Sequence, residues 1–145
     1  MKFLGVIRNA WPLLNTLIRV YQKKPFAFSF NLTDRCPNNC NCYWRAQSRT
    51  GEMPDDEVIS FFKRMKTSGY RHATIIGGEP YVRPKLLPAV TSIMDANWIV
   101  TSGVLPLMNL PRTTHFISID GQDAKTHDRV RRNHGLFRRV FKNIQ

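Results

Sequence analysis

At 145 residues and 42% hydrophobic content, the chain is long enough for one domain with its own core and agrees with a globular class. Its formal charge of +12 says nothing about fold but favours anionic partners: an acidic lipid surface, a phosphorylated substrate or nucleic acid. Three cysteines argue against a secreted disulfide framework, and a reducing cytoplasm suits them better.

Residues 1–24 read as one amphipathic helix. Phe3, Ile7, Ala10, Leu14, Leu17 and Tyr21 recur at helical spacing, with Leu4, Trp11 and Ile18 beside them. Pro12 kinks or delays it. Arg8 and Arg19 interrupt the apolar run, which argues against a membrane-spanning helix. No small-residue cleavage site follows, so a signal peptide fits poorly. The helix either packs on the domain or lies on an anionic membrane face with Trp11 as its anchor, which would make a cytoplasmic protein peripheral at the membrane. Residues 25–145 form the domain proper.

After the break at Lys23-Lys24-Pro25, Phe26–Leu32 alternates as a strand does. It empties into a loop of Asp, Pro and Asn that holds Cys36, Cys40 and Cys42, every cysteine of the chain. Three thiolates are one short of a closed zinc site and odd for disulfides. They suit an iron–sulfur cubane with one iron left open, since a full protein set would be four. Zinc capped by one of the scattered His72, His115, His127 and His134 is the competing reading, although such histidines are more often surface or structural.

Pro54-Asp55-Asp56-Glu57 opens a helix, with proline near the first turn and acids at the positive end of the dipole. It runs through Val58, Phe61, Phe62 and Met65 to about Ser68, and Gly69 stops it. Ala73–Ile76 is a short β-branched strand that ends in Gly77-Gly78-Glu79-Pro80. Paired glycines let a ligand reach the main chain; an ordinary turn is the plainer reading. Pro84–Ala96 is the next helix, and Trp98–Thr101 the third strand, closed by Ser102-Gly103. Pro106 and Pro111 leave room for only a short helical turn in the crossover that follows. His115–Gly121 is the fourth strand with its exit, and alternation points Ser118 and Asp120 the same way. Residues 127–131 then lead to a helix starting near Gly135. Arg129, Arg131, Arg132, Arg138, Arg139 and Lys142 make a basic cluster: a solvated helix face, or, on the sharper reading, a contact for phosphate or RNA.

Alternation of this kind predicts an α/β fold with a parallel sheet of about four strands. Ligands then sit beyond the carboxyl ends of the strands, where the motif loops converge.

Three stretches carry a family resemblance over roughly residues 26–145. The cysteine loop after the first strand, Gly77-Gly78-Glu79-Pro80 after the second, and Ser118–Asp120 at the end of the fourth resemble radical S-adenosylmethionine (radical SAM) enzymes. The spacing here is Cys-x3-Cys-x-Cys; the family usually has one more residue in the second gap. Ser102 also stands where the family commonly has asparagine. The resemblance implies an incomplete partial (βα)6 barrel behind the N-terminal helix. It implies a 4Fe–4S cluster on Cys36, Cys40 and Cys42, and S-adenosylmethionine bound by Gly77, Gly78, Glu79, Pro80, Ser118 and Asp120. It further implies reductive cleavage of that cofactor to a 5′-deoxyadenosyl radical, which abstracts hydrogen from a substrate, and an electron donor such as a flavodoxin or ferredoxin. A truncated, non-catalytic iron–sulfur or metal-binding module whose barrel a partner chain completes is the alternative.

Overall fold

The computed structural model describes residue 14 and residues 16–40 and 51–144. Four strands, β1 (Ala27–Asn31), β2 (His72–Ile76), β3 (Ala96–Thr101) and β4 (Thr113–Ile117), form one parallel sheet in the order β1-β2-β3-β4. Beyond β1, the helices among the described residues are α1 (Asp55–Thr67), α2 (Leu86–Ile93), α3 (Ala124–Arg131) and α4 (Leu136–Asn143), with a 3-10 turn at Pro80–Val82. The predicted α/β class and four parallel strands are what the structure shows.

Period-two alternation decides which side chains enter the core. Phe28 and Phe30 turn from β1 toward α1, each with its ring centroid 5.3 Å from that of Phe62. Ala73 and Ile75 of β2 and Ile99 of β3 join Val58, Phe62, Leu87, Val90 and Met94, all fully buried. Each fully buried large apolar side chain contributes about 1.5–3 kcal/mol. The opposite parity faces outward. Trp98, Val100 and Phe116 stand on that side, exposed at 43%, 38% and 47%. Trp98 links them: its ring lies 4.3 Å from His72 and 5.3 Å from Phe116.

The first helix runs as predicted, with Asp55, Asp56 and Glu57 in its opening turn and Gly69 at φ 92 beyond its end. The crossover between β3 and β4 holds no helix, not even the short turn that the two prolines left room for. Two expectations need correction. The second helix ends at Ile93 rather than Ala96, because Met94 is already extended and Ala96 opens β3. Asp95 leaves the helix to pair with Lys66 and Arg71, and buried Asn97 donates to the Thr91 carbonyl at 2.9 Å. Residues 124–131 are a separate helix, not a lead-in. Asp123 caps it by accepting from the Thr126 N–H at 2.8 Å, and only His127 of the helix is buried, so no apolar period announced it.

Of the expected N-terminal helix, residues 1–13 and 15 lie outside the described residues, and residues 16–21 are helical. Arg19 donates to the carbonyls of Pro25 at 3.0 Å and Ser68 at 3.3 Å, tying this turn to the α1–β2 connection. Among the described residues no helix is long and apolar enough to cross a membrane.

Candidate active site at the carboxyl rim of the sheet

Parallel strands bring all four exits to one edge. The β1 and β2 exits are fastened backbone to backbone. Leu32 N–H donates to the Ile76 carbonyl at 2.9 Å, Gly78 N–H to Thr33 at 2.7 Å, and Glu79 N–H to Arg35 at 2.9 Å. This contact is why both glycines are needed. Gly77 has φ 141, and a Cβ there would lie 2.4 Å from the Thr33 carbonyl oxygen; a Cβ on Gly78 would lie 2.4 Å from that of Arg35. The space taken up by the missing side chains is filled by the cysteine loop itself. Packing is thus a reason for the glycines alongside the expected one, access for a ligand to the main chain.

The start of the cysteine loop is held from below by two residues that no sequence motif marked. Arg83, 8% exposed, donates to the carbonyls of Leu32 and Met53, both at 2.9 Å, and pairs with Asp55. Glu52 accepts from Arg35 through both oxygens, at 2.8 and 2.9 Å, and also bonds Thr33. The Arg35 hydrogen bond holds the Glu52 carboxyl below its usual range. Cys36 is half-buried and Cys40 is buried in this loop; Cys42 lies outside the described residues. Asn38, between the first two thiols, accepts from Asn133 Nδ2 at 2.7 Å, which brings the α3–α4 connection against the loop.

Glu79 is fully buried and its carboxyl group points inward, to the β3 exit. Oε1 accepts from Thr101 Oγ1 at 2.7 Å and from the Tyr81 N–H at 3.2 Å. Oε2 accepts from the N–H of Ser102 at 2.9 Å and from its hydroxyl. Hydrogen bonds to a buried carboxylate are among the stronger ones, so this group fixes the β2 and β3 exits relative to each other. Pro80 follows as the first residue of the 3-10 turn.

At the β4 exit, the Ser118 N–H donates to Thr101 at 2.9 Å. The Asp120 carboxylate pairs with Arg131, and its N–H donates to Nδ1 of His127 at 3.1 Å. Arg131 and His127 come from α3, the helix missed in the sequence, and they position Asp120 from behind. Their spacing of four residues on one helix face was the available signal.

The histidines do not converge. His72 lies against Trp98, His115 Nε2 meets the Tyr81 hydroxyl at 2.6 Å, and His127 serves Asp120. Burial lowers the pKa of His72 and of His115 and raises that of Tyr81. Among the described residues no three His, Cys, Asp or Glu side chains gather to hold a metal.

No protein-family model matches the chain. It is 28% identical over 134 residues to an AdoMet-dependent heme synthase from Methanosarcina barkeri (strain Fusaro / DSM 804), a match that covers 83% of this chain and 38% of that protein. Its fold is similar to that of SuiB from Streptococcus suis. The TM-score is 0.62 at 17% identity over 76% of this chain and 28% of SuiB. Against SuiB bound to S-adenosylmethionine it is 0.58 at 19% identity, and against SuiB bound to its precursor peptide SuiA it is 0.61 at 18%, each over 72% of this chain and 26% of SuiB. The chain thus spans well under half the length of each of these proteins.

Proposed function

We propose, from the chain's relation to the radical SAM superfamily, that the rim is a radical SAM site. Cys36, Cys40 and Cys42 hold a 4Fe–4S cluster, and Gly77, Gly78, Glu79, Pro80, Ser118 and Asp120 border S-adenosylmethionine. The donor set suits the cluster, since thiolates are its usual ligands and three of them leave one iron open to a chelating cofactor. When bound, the pair supplies reductive cleavage of the S–C5′ bond and a 5′-deoxyadenosyl radical that takes hydrogen from the substrate.

The chain's own residues prepare the place. Gly77 and Gly78 seat the loop that carries Cys36 and Cys40 against the β2 exit. Glu79 locks that exit to Thr101 and Ser102. Arg131 and His127 aim the Asp120 backbone and carboxylate along the same rim. The single observation that carries this reading is the fit of the cysteine loop over Gly77-Gly78, which brings the first two motifs to one place. A flavodoxin or ferredoxin is the reductant this chemistry calls for.

Purification without oxygen and an assay of iron, sulfide and 5′-deoxyadenosine tests it. About four irons per chain are expected, with 5′-deoxyadenosine formed on reduction in the presence of S-adenosylmethionine. Cys36→Ala should lose both. Protein that carries zinc instead, or no metal, removes the radical chemistry. Iron without 5′-deoxyadenosine favours the second reading, a cluster-binding module that a partner chain completes; the uncovered Trp98–Phe116 side of the sheet is the observation behind it.

A further inference from the structure

A cleft of about 680 Å3 opens between α3 and α4. Its size falls in the range of small-ligand sites. Lys125, Arg129, Arg132 and Arg138 line it, with Asp128 and Asn133. Of the cations elsewhere in the described residues, Arg35, Lys66, Arg71, Arg83 and Arg131 are paired with a carboxylate, whereas exposed ones such as Lys24, Lys63 and Arg139 stand apart without one. The four cations of the cleft have no such partner among the described residues.

The one carboxylate in the cleft wall offsets only one of the four charges. Asp128 accepts from the N–H of Gly135 at 2.6 Å through one oxygen and from that of Phe137 at 2.8 Å through the other. These bonds, that of Phe137 first, hold its carboxyl below the usual range, and they commit it to shaping the α3–α4 turn.

Arg129 and Arg132 sit at the C-terminal end of α3, where the dipole favours cations, but two other features of the placement carry a cost. Lys125 and Arg129 are four apart on α3, a like-charge spacing that destabilises a helix by a few tenths of a kcal/mol. Arg138 sits in the first turn of α4, where no acidic residue accompanies it and the helix dipole disfavours a cation. All four side chains are on exposed residues, so no core contact explains them. An anion between the two helices would relieve each of these repulsions.

We infer that the α3–α4 cleft binds a phosphate-bearing small ligand. Guanidinium groups from two helices offer the forked donors that phosphate oxygens accept. A concave site suits a compact phosphate or diphosphate group better than an extended polymer. Asn133 lines the cleft and also bonds Asn38 of the cysteine loop, so an occupant lies one residue away from the rim. The inference does not depend on the iron or on the radical reading.

The probe is inorganic pyrophosphate, titrated calorimetrically into the full chain at fixed ionic strength. Saturable binding of one pyrophosphate per chain is expected. The double variant Arg129→Ala/Arg138→Ala should weaken it at least tenfold. Lys24→Ala/Lys63→Ala removes the same charge outside the cleft and should change it less than twofold. Both pairs are exposed, and a thermal melt confirms that each variant is folded. A parallel arm measures co-sedimentation with vesicles containing phosphatidate. Attachment that the double arginine variant abolishes assigns the phosphate to a lipid headgroup. Pyrophosphate binding without attachment assigns it to a soluble ligand. The inference is overturned if neither probe binds, or if the control variant loses as much as the arginine variant, which would mark diffuse attraction to a basic surface.

Discussion

The two faces of the sheet differ in kind. One is sealed: Ile75 and Ile99 are wholly buried against Phe62 of α1 and Leu87 and Val90 of α2. The other presents Trp98, Val100 and Phe116 to solvent. Parallel sheets are ordinarily covered on both faces. The sealed face therefore carries the stability of the described domain, and the rim above it inherits its rigidity. The open face is apolar without contributing a comparable core.

Substitutions can break that contrast. The largest effect is expected from Phe62→Ala, which should cost about 3–5 kcal/mol in chemical denaturation. A loss under about 1 kcal/mol would mean that the face is not sealed in solution. Glu79→Ala should come next, at about 3 kcal/mol, because it strands the buried donors of Thr101, Ser102 and Tyr81. If the loss is negligible, the bracket between β2 and β3 is not what holds the rim. Gly77→Ala should cost about 2 kcal/mol through its positive φ and the Thr33 carbonyl. Its tell-tale is faster proteolysis within the cysteine loop than elsewhere.

A pH series gives a smaller effect. His72 and His115 have folded pKa values below the ordinary value of 6.5 because burial disfavours their cations. The unfolded chain then binds more protons as pH drops below that value. Their contribution to stability is complete above it and is lost as pH falls toward the folded values. His115→Gln should flatten the slope of stability against pH in that window; an unchanged slope would place the titration elsewhere. The smallest effect is expected on the open face, where Phe116→Ser should cost under about 0.5 kcal/mol. A loss of several times that would show that something covers the face in solution.

The cysteine loop, the Gly77–Pro80 turn and the four strands were legible because each is local: a run of thiols, a pair of glycines, a β-branched stretch. The helix α3 was not, because its support comes from an Asp123 cap and one buried histidine rather than from an apolar stripe. Nor were Arg83 and Glu52. An isolated arginine or glutamate looks like surface until the fold brings carbonyls 30 and 51 residues away, or Arg35 and Thr33, within bonding distance.

By itself the sequence determined which segments become strands, that the strands run parallel, and that the motif loops share an edge. Periodicity and connection length settle these within a few tens of residues. Only the tertiary structure decided what the motif residues do there. It turned Glu79 inward, packed the start of the cysteine loop against the glycines, and left four cations lining one cleft between α3 and α4. Those outcomes depend on which groups meet across the chain, and burial makes each unmet donor, acceptor or charge costly enough to fix them.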